Sequence, residues 1–216
     1  MIILENLSKK YKTRAGDITV LNKVNLSIRQ GEKVGILGKN GAGKSTIIRM
    51  ISGAEKPTSG TIIRNMTVSW PLAFGGAFQG TLTGLDNLHF ICRVYGTDPY
   101  DKLEFIEEFT ELGRYLREPL KTYSAGMRAR LAFAISMVVE FDCFLIDEII
   151  AVGDSRFHEK CNFELFQKRK ERAMIIVSHD KNYIQSHCDR AAVLKSGELT
   201  NFESVDDAFE FYDNNT

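Results

Sequence analysis

A glycine-rich segment, Gly38–Thr46, has the residue types and the spacing of a loop that binds phosphate groups. Its glycines allow the backbone to wrap an anion with N–H groups pointing inward, and the N-terminus of the following helix adds partial positive charge. In such a loop Lys44 would reach the β- and γ-phosphates of a nucleotide, and the Ser45 hydroxyl would bind Mg²⁺. An ordinary glycine-rich turn, the alternative, does not explain the Lys-Ser pair. The candidate phosphate-binding residues are Gly38, Lys39, Asn40, Gly41, Ala42, Gly43, Lys44, Ser45 and Thr46.

Two acidic residues, Asp147 and Glu148, follow the short apolar run 143–146, which is typical of a buried strand. Because the backbone turns where a strand ends, both carboxylates can enter one site. We predict that Asp147 binds Mg²⁺ and that Glu148 is the general base that activates a water molecule. His179 stands beyond a second apolar run, 174–177, and open parallel sheets bind their ligands at these strand ends. Each motif also has a non-catalytic interpretation when it is considered alone. The two acids could simply begin a surface loop, and His179 could be a structural histidine.

The elements that must position these residues read as strands at both ends of the chain and as helices in the middle. Alternating apolar and polar residues in 24–28 predict a half-buried strand, and the apolar segment 33–37 predicts a strand covered on both faces. Two apolar helical stripes follow, one through Phe105, Ile106, Phe109 and Leu112, the other through Met127, Leu131, Ile135 and Val138.

This order of elements predicts an α/β fold with a phosphate-loop NTPase core and a mainly parallel sheet. We expect an antiparallel β part at the N-terminus and an inserted helical subdomain. The chain would then be a single domain over 1–216, with its core at about 1–79 and 139–216 and the helical subdomain at about 80–138.

The composition excludes several classes of protein. The chain has 216 residues, with 28 Lys and Arg against 28 Asp and Glu, so its net charge is zero and nucleic acid is not an expected partner. The longest clean apolar run, 131–139, is too short to cross a bilayer, and the first residues are too short an apolar run for a signal peptide. The four cysteines lack a Cys-x-x-Cys pair and are predicted to be free thiols, mostly buried, in reducing cytosol.

The segment Tyr123-Ser124-Ala125-Gly126-Met127 resembles the Leu-Ser-Gly-Gly-Gln signature of the nucleotide-binding domains of ABC transporters. The match is imperfect, because Ala125 and Met127 replace a glycine and the glutamine. The spacing agrees with the family, since 23 positions separate Ser124 from Asp147 and 32 separate Asp147 from His179. Ser124 could cap a helix whose N-terminal amides, including that of Gly126, face an anion. The resemblance extends over essentially the whole chain.

This resemblance implies an ATPase that binds ATP and Mg²⁺ and works as a head-to-tail dimer of two copies. Each ATP would lie between the phosphate loop of one copy and Ser124 and Gly126 of the other copy. Three further positions match family motifs: Tyr11 would stack on adenine, Gln79 would sense Mg²⁺ and the attacking water, and Asp154 would lie in the loop that crosses the dimer. Tyr11 could instead be a plain strand aromatic. The family's proline after the glutamate is replaced here by Ile149.

Other stretches are similar to the ATPases that export bacterial surface polysaccharides, namely Ser69-Trp70-Pro71, Leu82-Thr83-Gly84 and Ala151–Cys161. Among these ATPases, the chain resembles the capsular polysaccharide and polysialic acid exporters. The resemblance implies a subunit that powers export of a capsular polysaccharide and lies peripherally at the cytoplasmic face of the bacterial inner membrane. The chain ends about 37 residues after His179, so we expect it to lack the C-terminal carbohydrate-binding domain that O-antigen relatives often carry.

The expected membrane partner is a polytopic permease, and the polysaccharide itself would be only an indirect partner. The permease would contact the helical insert near 79–95. The apolar residues of this segment could equally build the core of the insert. They are Leu85, Leu88, Phe90, Ile91 and Val94.

Several other functions stay open at this point. A soluble ABC ATPase of DNA repair or translation would usually need a long coiled-coil insertion or two nucleotide domains in one chain. An ABC importer or exporter for another substrate is a further alternative. A regulatory module that binds ATP without hydrolysis is disfavoured by Glu148 and His179, and a metabolic kinase is disfavoured by the signature spacing.

Overall fold

The chain divides into two units in the computed structural model, which describes residues 1–14, 16–72, 78–147, 155–178 and 180–215. The first unit comprises Met1–Pro71, Phe141–Glu148 and Lys170–Thr216, and the second comprises Leu72–Glu140 and Ile149–Arg169. The second unit therefore takes in residues on both sides of the segment 141–148.

The described residues form regular elements over most of their length. In chain order these are β1 (Ile2–Thr13), β2 (Gly16–Ile28), β3 (Lys33–Leu37), α1 (Lys44–Ser52), β4 (Ser59–Arg64), β5 (Val68–Pro71), α2 (Gly84–Tyr95), α3 (Tyr100–Thr110), α4 (Ala125–Val138), β6 (Cys143–Asp147), α5 (Ser155–Asn162), β7 (Ala173–Val177), α6 (Lys181–His187), β8 (Arg190–Lys195), β9 (Glu198–Phe202) and α7 (Val205–Asn215). Two 3₁₀ turns, Gly113–Arg117 and Leu120–Thr122, lie between α3 and α4, and a π-helical turn, Phe163–Gln167, follows α5.

The first unit holds an antiparallel sheet in the order β2-β1-β4. In this sheet Ile2 of β1 lies opposite Ile28 of β2 and Arg64 of β4. The apolar residues of 24–28 are buried and the polar residues between them are exposed, as their alternation predicts. The N-terminal antiparallel part of the predicted fold is confirmed.

A second sheet of the first unit, in the order β5-β6-β7-β3-β8-β9, is parallel except where β9 runs against β8. Every residue of β7 is buried, so this strand is covered on both faces, as parallel sheets require. Asp147 at the end of β6 pairs with Val177 of β7, and Val177 pairs with Ile36 of β3. The carboxyl ends of these three strands therefore lie side by side, and the predicted α/β fold with a mainly parallel sheet is confirmed.

Side-chain hydrogen bonds attach the edge strand β5 to β6 where the backbone pairing between them is incomplete. The β5–β6 register shifts between Val68 and Pro71, and proline has no N–H to donate. The hydroxyl of Ser69, which is fully buried, accepts a hydrogen bond of 2.9 Å from the Leu145 N–H. The carboxylate of Asp142 accepts bonds of 2.9 and 2.8 Å from the amide and hydroxyl of Thr67. The first of these bonds satisfies a buried donor that the irregular strand would otherwise leave unpaired, and the other two fasten the exposed start of the strand.

A nearly buried ion pair joins the two sheets of the first unit. Arg190, at the start of β8, donates from Nε to Glu32 Oε1 at 2.7 Å and from Nη2 to the Ser27 carbonyl of β2. Burial by itself would raise the pKa of Glu32, but hydrogen bonds from Arg190 and from the Arg29 amide more than offset it, and the pKa is lowered. The pair thus stays charged while it fixes the approach of β2 to β8.

The second unit is helical and has an aromatic centre. The ring of Phe109 from α3 lies 5.5 Å from Phe133 of α4 and 5.3 Å from Phe157 of α5, measured between centroids. The predicted stripe on α4 is too narrow, because every residue of 131–139 is buried and the C-terminal half of the helix is enclosed on all sides. In the other predicted stripe, Leu112 is buried but lies beyond the end of α3.

The four cysteines are free thiols, as their spacing predicts: Cys92, Cys143 and Cys161 are buried, and Cys188 is half-buried. Burial raises the pKa of Cys143, Cys161 and Cys188 to about 12, so these thiols are unreactive near neutral pH. Among the described helices, none has the length and apolar character needed to cross a membrane.

Candidate nucleotide-binding site

The glycine-rich loop connects the end of β3 at Leu37 to the start of α1 at Lys44. Gly43 caps this helix with φ at 109°, a left-handed conformation that a residue with a Cβ rarely adopts. Gly38 serves a different purpose, since a Cβ at this position would lie 2.7 Å from the Leu194 carbonyl oxygen of β8. The loop needs glycine at one end for close approach and at the other for backbone conformation.

Lys44 is folded back over the loop that precedes it. Its Nζ donates hydrogen bonds to the carbonyls of Gly38 at 2.6 Å and Lys39 at 3.2 Å, and the residue is only 7% exposed. The loop thus holds a cation at the N-terminus of α1, where the helix dipole already favours an anion. A phosphate group entering here would exchange these carbonyl contacts for charge-assisted bonds.

A pocket of about 310 Å³ opens beside the loop, entirely within the first unit. Asp147 shares it with Lys44 and Ser45, because the strand register brings the end of β6 to the same sheet edge as the loop. The carboxylate of Asp147 and the hydroxyl of Ser45 are the hard oxygen donors that Mg²⁺ prefers, so the residues of the pocket fit this ion. The lining residues are Val20, Asn40, Gly41, Gly43, Lys44, Ser45, Thr46 and Asp147.

Val20 is a pocket residue that sequence reasoning missed. It belongs to β2, and its Cγ1 lies 3.0 Å from the point where a Cβ would stand on Gly43. Its place depends on the pairing of β1 with β2 and on a backbone bond of 2.8 Å from the Asn22 amide to the Gly197 carbonyl. No local signal in the sequence gives these long-range contacts.

Tyr11 lies on β1 and is not among the described residues that line this pocket. Its hydroxyl donates to Glu55 Oε1 at 2.6 Å. Arg49 Nη2 lies 3.5 Å from the same hydroxyl and 3.2 Å from the hydroxyl of Thr46, which does line the pocket. Tyr11 is therefore joined to the pocket through the side chain of Arg49.

Ser124, in the second unit, is the N-cap of α4, and its hydroxyl accepts a bond of 3.2 Å from the Met127 amide. A Cβ at Gly126 would have this hydroxyl, 4.0 Å away, as its nearest described neighbour, so the helix start is open beside Gly126. The Tyr123 hydroxyl donates to the Tyr115 carbonyl at 2.5 Å, which anchors the segment. Burial, with a smaller contribution from the charge of Glu118, raises the pKa of Tyr123 to about 12.

Gln79, also in the second unit, is exposed. Its backbone amide and its backbone carbonyl are both hydrogen-bonded to the side chain of Asn87. The Gln79 amide donates to Asn87 Oδ1 at 2.9 Å, and Asn87 Nδ2 donates to the Gln79 carbonyl at 3.3 Å. Asn87 is 2% exposed and was not identified from the sequence. Backbone bonds of 2.8 Å from Lys121 to Gly80 and 2.9 Å from Leu120 to Leu82 join this segment to the one before Ser124.

Three predicted site residues, Glu148, Asp154 and His179, lie outside the described residues. Their neighbours are placed. Asp147 ends β6, and Asp180 caps α6 by accepting bonds from the Asn182 and Tyr183 amides at 2.9 and 3.2 Å. The structure thus brings Asp147 together with the glycine-rich loop, and the chemical roles of all the site residues stay predictions.

Comparison with known proteins agrees with this geometry. A family model described as ABC transporter matches residues 21–151. The chain is 60% identical over 212 residues to the ATP-binding protein BexA of Haemophilus influenzae, covering 98% of each chain. It is 59% identical over 212 residues, with the same coverage, to the capsule polysaccharide export ATP-binding protein CtrD of Neisseria meningitidis serogroup B. A solved dimeric structure of MJ0796, a bacterial ABC transporter cassette, superposes with a TM-score of 0.76 and 26% identity, covering 92% of this chain and 96% of that one.

Lys44 gives a direct test of the pocket. We expect Lys44→Ala to weaken binding of a nucleoside triphosphate at least about thirtyfold, because the phosphate groups would lose a fixed and nearly buried cation. Titration calorimetry with ATP measures the affinity. Lys170→Ala, which removes an exposed lysine of the same unit, should bind ATP as the unaltered protein does. Equal affinities in the two variants would contradict the assignment of the phosphate loop.

Proposed function

This chain belongs to the ABC transporter family, and we propose that it is the ATP-binding and ATP-hydrolysing subunit of a polysaccharide exporter. The observation that carries the proposal is the pocket whose lining includes Lys44, Ser45 and Asp147. These groups at one sheet edge match what a nucleotide triphosphate requires: a cation for its phosphates and oxygen donors for the accompanying ion.

Binding would use groups that the fold already fixes. The backbone N–H groups of the glycine-rich loop and the Lys44 ammonium would hold the β- and γ-phosphates of ATP. Ser45 and Asp147 would hold Mg²⁺, which supplies neutralisation of the charge that develops on the phosphates. Val20, which also lines the pocket, would offer an apolar surface to the sugar of the nucleotide.

Hydrolysis would follow from the residues at the ends of β6 and β7. Glu148 is proposed to accept a proton from a water molecule, whose oxygen attacks the γ-phosphorus. The bond from this phosphorus to the β–γ bridging oxygen breaks, and ADP and inorganic phosphate result. His179 is proposed to donate a hydrogen bond to the γ-phosphate, and Gln79 to orient the water and the ion.

A second copy of the chain is proposed to complete each site. Support comes from the open start of α4, where the helix N-terminus near Ser124 and Gly126 offers amides to an anion. In a head-to-tail dimer, these residues of one copy would contact the γ-phosphate held by the other, and Asp154 would lie near the contact. Further support comes from the MJ0796 cassette, which has a similar fold and was solved as a dimer.

Glu148→Gln tests the base and the dimer together, because it keeps the shape of the side chain and removes its basicity. We expect ATP binding near that of the unaltered protein, turnover slowed at least about a hundredfold, and a dimer that persists in ATP and Mg²⁺. Steady-state phosphate release and size-exclusion chromatography measure these outcomes. Glu104→Gln, at an exposed position on α3, should leave both unchanged. A Glu148→Gln chain that turns over normally, or stays monomeric with ATP bound, would count against the proposed site.

The proposed cargo of the transporter is a capsular polysaccharide. Support comes from the likeness to CtrD, which runs at 59% identity over 98% of both chains, and from the segment Ser69-Trp70-Pro71. The protein would act at the cytoplasmic face of the inner membrane, where ATP is present, and would move the polymer through a separate membrane subunit. Export of another polymer is the competing outcome.

Exchange with the meningococcal relative tests the cargo. In a Neisseria meningitidis serogroup B strain without CtrD, we expect this chain to restore capsule at the cell surface, because at 59% identity it should share most of the surface that contacts the membrane subunit. Antibody binding to whole cells, compared with total capsule after lysis, measures export. Glu148→Gln is the control and should leave capsule inside the cell. If the protein hydrolyses ATP and sediments with membranes there but exports no capsule, the polysaccharide assignment is wrong.

The proposed permease contact lies on α2. Of the five apolar residues singled out in this segment, Leu88 and Ile91 are buried and Leu85 is half-buried, whereas Phe90 and Val94 are 54% and 59% exposed. Phe90 and Val94 are four residues apart, so they are neighbours on one helix face. The segment thus builds part of the unit's core and still presents an apolar face to a partner.

Polar substitutions at Phe90 and Val94 test the proposed contact with the permease. We expect Phe90→Ser/Val94→Ser to keep its ATP affinity and lose sedimentation with membranes that contain the permease, because the substitutions remove only exposed apolar surface. Phe163→Ser, which alters an equally exposed aromatic residue of the same unit, should sediment normally. Flotation of the unaltered protein with protein-free liposomes, at the level seen with permease-containing ones, would show direct lipid binding and contradict docking.

A further inference from the structure

Glu55 lies in the turn after α1 and receives three hydrogen bonds from charged or polar side chains. Its carboxylate accepts from the Tyr11 hydroxyl at 2.6 Å, from Lys9 Nζ at 2.9 Å and from Arg49 Nε at 3.0 Å. Only 19% of the side chain is exposed. Burial by itself would raise the pKa of Glu55, but these three donors lower it to about 2, so the carboxylate is ionised near neutral pH.

The bonds around Glu55 fix the ring of Tyr11 at two places. The hydroxyl is held by Glu55, with Arg49 Nη2 at 3.5 Å from the same oxygen. Lys9 stands two residues before Tyr11 on β1, and its Nζ lies 5.1 Å from the ring centroid. A planar group that stacks on Tyr11 would therefore meet the ring on the face opposite Lys9.

The same cluster is bonded to the phosphate-binding helix. Arg49 belongs to α1, and its Nη2 donates to the Thr46 hydroxyl at 3.2 Å. The Glu55 amide donates to the Arg49 carbonyl at 3.1 Å, which holds the turn against the helix. Because Thr46 lines the pocket, the Tyr11 ring is fixed relative to the groups that would bind phosphates. The base and the phosphates of a nucleotide are covalently joined, so a fixed distance between their two sites favours binding.

We propose that Glu55 is a positioning residue that holds the Tyr11 ring for stacking on the purine base of a bound nucleotide. This inference rests on the proposed function, since it takes Tyr11 to be the base-stacking residue. Its physical basis is preorganisation: a ring already ordered by hydrogen bonds loses no rotamer freedom when the base arrives. Ordering one such side chain at the moment of binding would weaken affinity about two- to twelvefold.

Glu55 could also serve only to fasten β1 to the turn after α1, and the experiment must separate the two roles. A ligand with phosphates and no base does so, because stacking contributes nothing to its affinity. Calorimetry with ADP and with inorganic tripolyphosphate, both with Mg²⁺, is carried out on Glu55→Ala, Glu55→Gln, Tyr11→Phe and Tyr11→Ala. Glu5→Ala, at an exposed acid on the same strand as Tyr11, is the matched control.

We expect Glu55→Ala to weaken ADP binding about two- to twelvefold and to leave tripolyphosphate binding unchanged. Tyr11→Phe keeps a ring that can stack and loses the hydroxyl, with its bond of 2.6 Å to Glu55 and its longer contact of 3.5 Å with Arg49, so it should weaken ADP binding to a similar extent. The double variant Tyr11→Phe/Glu55→Ala should be no weaker than either single one, because both changes remove the same interaction. Glu55→Gln keeps an acceptor for the hydroxyl and should recover most of the affinity.

Three results would overturn the inference. If Glu55→Ala leaves ADP affinity unchanged while Tyr11→Ala lowers it, the base stacks on Tyr11 without help from Glu55. Equal losses for ADP and tripolyphosphate in Glu55→Ala would assign Glu55 a purely structural role. If Tyr11→Ala binds ADP normally and Lys44→Ala does not, the phosphate site stands and the base lies elsewhere. Failure of the unaltered protein to bind either ligand would instead refute the proposed function.

Discussion

The parallel pairing of β6, β7 and β3 is the constraint on which the candidate site depends. Asp147, Val177 and Ile36 are neighbours across this ladder, and the glycine-rich loop leaves the sheet at the same edge. A slip of one residue in β6 would turn the Asp147 side chain to the opposite face of the sheet. The strands are apolar and buried on both faces, so the packing that stabilises the first unit also sets the register of its chemical groups.

Positive charge for a phosphate comes from local geometry in a chain whose net charge is zero. Lys44 is held by the Gly38 and Lys39 carbonyls at the start of α1, where the helix dipole acts in the same direction. The loop takes this shape because Gly38 lets the backbone pass close to Leu194 and Gly43 adopts a left-handed conformation. The net charge of the chain therefore does not predict what the pocket binds. The backbone geometry around Lys44 is the better indicator.

Residues whose role depends on local pattern were predictable, and residues placed by long-range pairing were not. The glycine-rich loop, the buried strands and the mainly parallel α/β fold follow from spacing and apolar runs within short windows. Val20 and Glu55 carry no such signal, because each reaches its position through contacts with residues distant in sequence. Asn87 bonds to Gln79, only eight positions away, but no recognisable motif marks that pair. The predicted apolar stripe on α4 was too narrow for a related reason. Residues 131–139 are all buried, so this part of the helix has no exposed face that a periodic sequence pattern could reveal.

Helix α2 connects the proposed permease contact, at Phe90 and Val94, to the proposed nucleotide sensor, Gln79. Its exposed face carries Phe90 and Val94, while the buried Asn87 of the same helix holds the Gln79 backbone at both its amide and its carbonyl. Backbone bonds from 120–121 to 80–82 then join the Gln79 segment to the one that leads into Ser124. If a permease shifted α2, the Gln79 and Ser124 segments would be drawn along, because moving them separately would break hydrogen bonds at a buried side chain and between paired backbones. A displacement at the proposed permease contact could then reach the proposed nucleotide sensor as rigid-body motion of this hydrogen-bonded element.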